Sequence, residues 1–148
     1  MTILFTFYVA LSFYCLAGVL MEHFATFAGW PFLGAAEFVK VRTVQGLGSL
    51  YVYVVPKMML TLLIVVQLVL RPAVTPAAPL WISLVLLAVS WAVSALVLVP
   101  AQLRLQRGKD LDMVEGLVRR DWIRVVAMVG HTVVVGFMVS QLLATNVT

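Results

Sequence analysis

The sequence predicts an all-α integral membrane protein, built as an antiparallel bundle of four transmembrane helices. Hydrophobic residues make up 64% of its 148 residues, charged residues make up only 11%, and the mean hydropathy is +1.10. No soluble domain of this size has such a composition. Four apolar runs are each long enough to cross the hydrocarbon core of a bilayer, which takes about 20 helical residues. The polar segments between them are too short for a second domain, so we expect residues 1–148 to form a single domain.

The first transmembrane helix is predicted at about residues 3–22. This run could be mistaken for a signal peptide, but it lacks a basic start, and residues 21–24 (MEHF) are no small-residue cleavage site. The connection that follows, from residue 23 to about 47, mixes aromatic residues, glycines, a proline and charges in GWPFLGAAEFVKVR. Such a mixture is typical of a segment at the membrane interface. We therefore expect a short interfacial helix there.

The other three transmembrane helices are predicted at about residues 48–70, 80–100 and 122–143. Residues 71–79, which link the second to the third, contain three prolines and predict a stiff turn between antiparallel helices. The last link begins at Pro100 and is interrupted at Gly108, after which DLDMVEGLV has apolar residues near helical spacing. It predicts another short surface helix, covering the cytoplasmic mouth of the bundle.

Lysine and arginine are distributed unevenly among these connections. The first has Lys40 and Arg42, the second has only Arg71, and the third has Arg104, Arg107, Lys109, Arg119 and Arg120. Because basic loops stay in the cytoplasm, we expect both termini on the outer side of a bacterial cytoplasmic (inner) membrane. The net charge of +4 then reflects this topology and contact with anionic lipid headgroups. No basic patch with interleaved aromatic residues indicates nucleic-acid binding.

Polar residues inside the fourth span are the most informative feature of the chain. Residues 117–136, LVRRDWIRVVAMVGHTVVVG, carry charges into a segment that is otherwise fit for lipid. Such groups are costly in hydrocarbon and usually face the interior of a bundle. At helical spacing Arg120, Arg124 and His131 share one stripe, with Asp121 and Trp122 beside it. The stripe indicates either a site or a helix-packing seam.

The other predicted helices also have polar stripes. These are Tyr8, Ser12, Cys15 and Glu22 on the first, Tyr53, Lys57 and Thr61 on the second, and Ser83, Ser90 and Ser94 on the third. We interpret the serines mainly as small residues that allow close helix packing. Every helix therefore offers a polar face to the interior of the bundle.

The depth of each side chain in the membrane decides which of them can meet. From the rise per residue, Lys57 and Arg124 lie within a few turns of the cytoplasmic surface, and His131 lies near the midplane. We predict the catalytic residues His131, Arg124 and Lys57, beside a polar cluster of Glu22, His23, Asp121, Trp122 and Arg120. Arg124 is expected to pair with Glu22 or Asp121. Snorkelling to headgroups is the alternative for Lys57 and Arg124, and a hydrogen bond to a neighbouring helix is the alternative for His131.

No cofactor and no metal ion is predicted. Haem is disfavoured because His23 and His131 are offset by about half a leaflet. A zinc or di-iron site is disfavoured because the chain lacks repeated Glu-x-x-His or cysteine pairs. Met21, Met58 and Met59 would suit copper(I), but they are interpreted as apolar filling. Haem and copper stay open as alternatives.

Several short motifs follow one another along the chain. The first helix ends near His23, Glu37-Phe38 precedes a second helix containing Val55-Pro56-Lys57, and the third helix ends in Pro100 and Leu105-Gln106-Arg107-Gly108. The strongest element is LVRRDWIR, residues 117–124. In this order of features the chain resembles the DUF1772, or anthrone-oxygenase-like, family of small four-helix membrane proteins.

This resemblance implies the four-helix fold. It also implies kinship with a family some of whose members oxidise polycyclic phenols without an evident cofactor. Two positions depart from the family pattern. Asp121 stands in place of an asparagine, and His131 in place of an arginine or another polar residue.

Two functions are compatible with the sequence. In the first, which we expect, the chain is an accessory or structural subunit whose aromatic-rich outer faces pack against other membrane-protein subunits. In the second, it is a small oxygenase-like enzyme or binding bundle for an apolar phenolic or quinone-like substrate that enters from the lipid. Lys57 and Arg124 would then stabilise a phenolate or enolate, and His131 would move the proton.

Overall fold

The structure, a computed structural model, describes residues 2–70 and 77–145, and no strand occurs in these two parts. Helix α1 (Thr2–Met21) continues into a π-helical segment, Glu22–Phe27, and a 3-10 turn, Trp30–Phe32. Helix α2 (Ala35–Ser49) runs without a break into a second π-helical segment, Leu50–Val54, and helix α3 (Val55–Leu70). Helix α4 (Ala77–Val93) leads into a third π-helical segment, Ser94–Leu98, and helix α5 (Val99–Leu105). Helix α6 covers Leu111–Thr145.

Four stretches of the described chain are long and apolar enough to cross a membrane, which confirms the number predicted. They are Ile3–Phe32, Leu50–Leu70, Ala77–Leu105 and Leu111–Ala144. The longest has 34 residues and is about 50 Å long at the rise of an α-helix. Three of the four therefore exceed the roughly 30 Å of a hydrocarbon core. The additional length consists of the helix ends that the sequence had assigned to connections.

The helices pack as antiparallel neighbours. Helix α6 lies against α4 and α1, and α3 lies against α1 and α4. Between α1 and α6, Ser12 meets His131. Toward the end of α1, Glu22 meets Arg124, earlier in α6. Residue numbers that rise on one helix while they fall on the other show the antiparallel arrangement.

Helix α6 buries one seam along most of its length. Its members follow one another in alternating steps of three and four residues: Val114, Leu117, Asp121, Arg124, Met128, His131, Val135 and Met138. This is the seven-residue repeat with which helices pack side by side in left-handed bundles. The seam therefore carries charged, polar and apolar side chains into the same interior.

The connections differ from the prediction in two respects. The interfacial helix expected in the first connection is α2, but it continues directly into the next span. The separate short helix expected at residues 110–118 was wrong, because these residues form the start of α6. Asp110 accepts a hydrogen bond from the backbone N–H of Met113 at 3.1 Å and so begins the helix, and no proline interrupts it afterwards. Of the predicted proline-rich turn, residues 71–76, with Arg71, lie outside the described residues.

Each π-helical segment precedes a proline. Pro56 follows Leu50–Val54, Pro100 follows Ser94–Leu98, and Pro31 follows Glu22–Phe27. A proline has no N–H to donate, and its ring clashes with the carbonyl four residues earlier. In all three cases that earlier residue lies inside the π-helical segment. The helix is therefore widened next to each proline, as expected where the regular hydrogen-bond ladder is interrupted.

Two apolar cores lie on either side of a polar layer. The larger core contains Tyr8, Cys15, Val19, Leu60, Ile64, Leu80, Leu87, Val125, Met128, Val135 and Met138. The smaller one contains Phe27, Trp30, Phe38, Val93, Leu98, Leu105, Val114 and Leu117. On α6 the boundary between them falls at Asp121 and Arg124, and on the first span it falls at Glu22 and His23.

Gly18 allows α1 to approach the second π-helical segment closely. A Cβ atom at this position would lie 3.1 Å from Cδ1 of Tyr53, whereas one at Gly136 would meet nothing within 4 Å. We predict that Gly18→Ala lowers the free energy of unfolding by about 1 kcal/mol relative to Gly136→Ala, because the tyrosine ring must shift. Unfolding by sodium dodecyl sulfate in mixed micelles measures both variants. Equal stability of the two would contradict the close approach.

Candidate functional site

Arg124 lies between two carboxylates in the polar layer. Its Nη1 donates a hydrogen bond of 2.6 Å to Oε2 of Glu22, and its Nε lies 2.7 Å from Oδ1 of Asp121. All three side chains are buried, with Asp121 completely inaccessible. The guanidinium fork suits two carboxylates at once. The predicted pairing of Arg124 with Glu22 or Asp121 is confirmed, and it involves both.

His23 extends this cluster through Asp121. Its Nδ1 donates a hydrogen bond of 2.9 Å to Oδ2 of Asp121, and its ring is buried. Trp122 packs against the imidazole with ring centroids 4.5 Å apart, but its own side chain is half exposed. Arg120 is exposed. The structure therefore joins Glu22, His23 and Asp121 with Arg124, places Trp122 at the edge, and leaves Arg120 outside.

Lys57 lies inside the bundle rather than among headgroups. Its side chain is buried, its Nζ donates a hydrogen bond of 3.3 Å to Oγ of Ser94, and the ammonium lies 4.7 Å from the centre of the Trp91 ring. Within residues 2–70 and 77–145, no carboxylate oxygen lies within 4 Å of this Nζ. Lys57 is therefore a buried cation held by a hydroxyl and an aromatic face.

A cavity of about 220 Å³ connects Lys57 with the Arg124 cluster. Its wall includes Cys15, Glu22, Tyr53, Lys57, Trp91 and Arg124. The exposed apolar residues on the wall are Leu50, Val52 and Val99, so the open side lies between the second π-helical segment and α5. The cavity is therefore lined by charged groups inside and by apolar side chains at its mouth.

Arg124, which is part of this wall, has two donor nitrogens without a hydrogen-bond partner. They are Nη2 and Nε, although Nε lies 2.7 Å from Oδ1 of Asp121. A buried donor without an acceptor is costly. Lys57 and Arg124 therefore give the wall of the cavity two basic side chains.

Arg42 was not among the predicted site residues. The sequence placed it in an interfacial connection, but α2 turns it inward, where its Nη2 donates a hydrogen bond of 3.4 Å to Oε1 of Gln102 on the cavity wall. Its guanidinium carbon lies 4.6 Å from the centre of the Trp30 ring. Burial lowers the pKa of Arg42 below its usual value, and the Glu22 carboxylate offsets only part of this effect. No motif marked this contact, because Arg42 and Gln102 are 60 residues apart.

His131 belongs to a different layer. Its Nδ1 donates to the carbonyl oxygen of Ser83 at 3.1 Å, and its Nε2 lies 3.2 Å from Oγ of Ser12. It is fully buried, and the cavity wall does not include it. Seven residues, about 10 Å of helix, separate it from Arg124. The structure thus brings Lys57 and Arg124 to one cavity and gives His131 partners on two neighbouring helices.

No protein-family model, curated protein or solved structure matches this chain. In the parts of the chain that the structure describes, no three histidine, cysteine, aspartate or glutamate side chains are grouped so that they could hold a metal ion. Function must therefore be inferred from the chemistry of the cavity.

We predict that Arg124→Leu lowers the free energy of unfolding by about 3 to 5 kcal/mol, because Glu22 and Asp121 are left as buried carboxylates without their cation. Arg120→Leu, one turn away and exposed, is the matched control and should change it by less than about 0.5 kcal/mol. Thermal unfolding in detergent measures both. Equal melting temperatures for the two variants would show that the Arg124 ion pairs contribute nothing.

Proposed function

We propose that the protein spans a membrane and binds an apolar molecule whose polar oxygen lies beside Lys57 and Arg124. The observation that carries this proposal is the cavity whose wall includes two buried basic side chains, Lys57 and Arg124. Binding pockets are typically apolar cavities with a few convergent polar groups. A phenolic or quinone-like ring has both the apolar body and the hydrogen-bonding oxygen that this wall would accept.

The residues at the mouth of the cavity support entry of the ligand from the lipid. Leu50, Val52 and Val99 are exposed there, and they offer no charge to an aqueous ligand. The cavity of about 220 Å³ is smaller than the roughly 300 to 1,000 Å³ typical of sites that enclose a whole drug-sized ligand. The polar end of a ligand would therefore lie inside, while any longer apolar part remains among lipid chains.

The three π-helical segments support the same location. Glu22, Tyr53 and Ser94 each come from a different one of them, and all three line the cavity. Such segments occur frequently at functional sites. Here they widen three helices around one space, which regular packing would fill with side chains.

An oxygenase-like reaction, as the resemblance to the anthrone-oxygenase-like family implies, is the catalytic form of this proposal. Lys57 and Arg124 would stabilise negative charge that develops on a phenolate or enolate oxygen. Glu22, rather than His131, is the proton acceptor nearest to such a ligand, because it lines the cavity.

The distribution of basic residues supports a topology with both termini outside and both basic connections in the cytoplasm of a bacterial inner membrane. In this orientation the cavity lies in the half of the bundle toward the cytoplasm, and its mouth faces the inner leaflet.

Fluorescence titration with 1,4-naphthoquinone tests the binding proposal, since Trp91 is on the cavity wall. We expect saturable quenching in nanodiscs, and a smaller quenched fraction in Trp91→Phe. Lys57→Met should weaken binding about tenfold, or about 1.4 kcal/mol, because an oxygen loses its charged donor. The exposed Lys40 provides the control variant Lys40→Met, which should bind like the parent. Quenching that rises linearly without saturation would contradict the proposal.

The second candidate function is that of an accessory subunit, and one surface feature favours it. Phe24 and Trp122 are exposed, and their rings pack 5.7 Å apart over His23. Aromatic residues of this kind are enriched where proteins meet. A helix of a partner subunit seated there would cover the edge of the charged cluster.

We predict for this second function that the protein purified in mild detergent migrates with other membrane proteins, and that Phe24→Ala combined with Trp122→Ala abolishes this. Loss of two aromatic anchors should remove most of the contact energy. Phe137→Ala, at another exposed aromatic side chain of α6, is the control. Migration of the parent protein alone, as a monomer or dimer, would contradict the subunit role.

A further inference from the structure

We propose that the cavity binds a singly charged oxygen anion, a carboxylate or phenolate on an apolar body, more tightly than a neutral quinone or a cation. The inference rests on the proposed binding function and narrows its ligand class. Its basis is an excess of buried positive charge around the cavity.

The buried charges of the described residues do not balance. Three cations, Arg42, Lys57 and Arg124, are at most 6% exposed. Only two carboxylates, Glu22 and Asp121, are buried with them. When Lys57 is protonated, three positive charges minus two negative charges leave an excess of one. His23 leaves this excess unchanged when neutral and increases it when protonated.

The excess belongs to Lys57 and Arg42. Both buried carboxylates lie against Arg124. In the part of the chain that the structure describes, neither of the other two cations has a carboxylate oxygen within 4 Å. Lys57 lines the cavity, and Arg42 contacts it through Gln102. The uncompensated positive charge therefore lies next to the cavity.

A buried charge without a counter-ion is strongly unfavourable. One bound anion would reduce the excess to zero, whereas a cation would raise it to two and a dianion would reverse its sign. Nζ of Lys57 is available for an oxygen atom of such an anion, because its hydrogen bond to Ser94 is long at 3.3 Å. The Arg124 side chain lies on the same wall.

The size of the cavity and the apolar residues at its mouth define the rest of the ligand. A cavity of about 220 Å³ holds a head group and a ring or a short piece of chain. The apolar mouth at Leu50, Val52 and Val99 leads the remaining part toward lipid. A single-chain or aromatic acid fits this description. The phosphate of an anionic lipid offers the same single negative charge from a second source.

The experiment compares two probes of nearly equal size in nanodiscs of zwitterionic phosphatidylcholine at pH 7.5. These are 1-naphthoate, which is an anion, and 1-naphthamide, which is neutral. Quenching of tryptophan fluorescence measures binding. We expect 1-naphthoate to bind at least tenfold more tightly, and Lys57→Met to reduce this preference below about threefold. Lys40→Met should keep it. Arg42→Gln removes the second uncompensated charge and should also reduce the preference, which keeps the test open if Lys57→Met does not fold.

The outcomes separate the two proposals. Equal affinity for both probes would overturn the anion inference while leaving a binding cavity intact. No saturable binding of either probe or of 1,4-naphthoquinone would overturn the binding function as well. Displacement of bound 1-naphthoate by palmitate would support a free acid as the ligand, and displacement by phosphatidylglycerol would support a lipid head group of the same charge.

Discussion

The ion pairs of Arg124 with Glu22 and Asp121 are the interaction on which the rest of the structure depends. The pair with Glu22 joins α6 to the π-helical segment that follows α1, at the boundary between the two apolar cores, and the pair with Asp121 lies within α6. Each carboxylate alone would be a buried charge in an apolar surrounding, and both pair with the same guanidinium. Asp121 also binds His23. The polar layer is thus one connected network, and it fixes the spacing of the helices that surround the cavity.

Backbone geometry and side-chain size together shape the bundle around the polar layer. Prolines widen three helices into π-helical segments, and small residues such as Gly18 let neighbouring helices come close. The space that remains is bounded by Lys57 and Arg124 inside and by apolar side chains at its mouth. Sequence, local helix geometry and electrostatics therefore lead to a cavity among four helices that are long and apolar enough to span a membrane.

The sequence predicted the features that depend on hydrophobic length and on the cost of buried charge. The four apolar spans and the pairing of Arg124 with a carboxylate follow from these two constraints. It predicted both Asp121 and Arg120 in the polar cluster, because a stripe of 3.6 residues per turn selects Arg120 and has Asp121 beside it. The seam of α6 repeats every 3.5 residues instead, which buries Asp121 and leaves Arg120 exposed. Contacts between distant helices, such as Arg42 with Gln102, leave no local pattern and need the folded structure.

A double-mutant cycle between Glu22 and Arg124 tests most directly whether the polar layer is one connected network. Glu22→Gln keeps the side-chain size and removes the negative charge, and Arg124→Gln shortens the side chain and removes the positive charge. The double variant combines the two. The free energy of unfolding of each, measured in detergent, gives the coupling energy. We predict a coupling of about 2 kcal/mol, because each single variant leaves a buried charge that the double variant removes. Effects that add within about 0.5 kcal/mol would contradict the network.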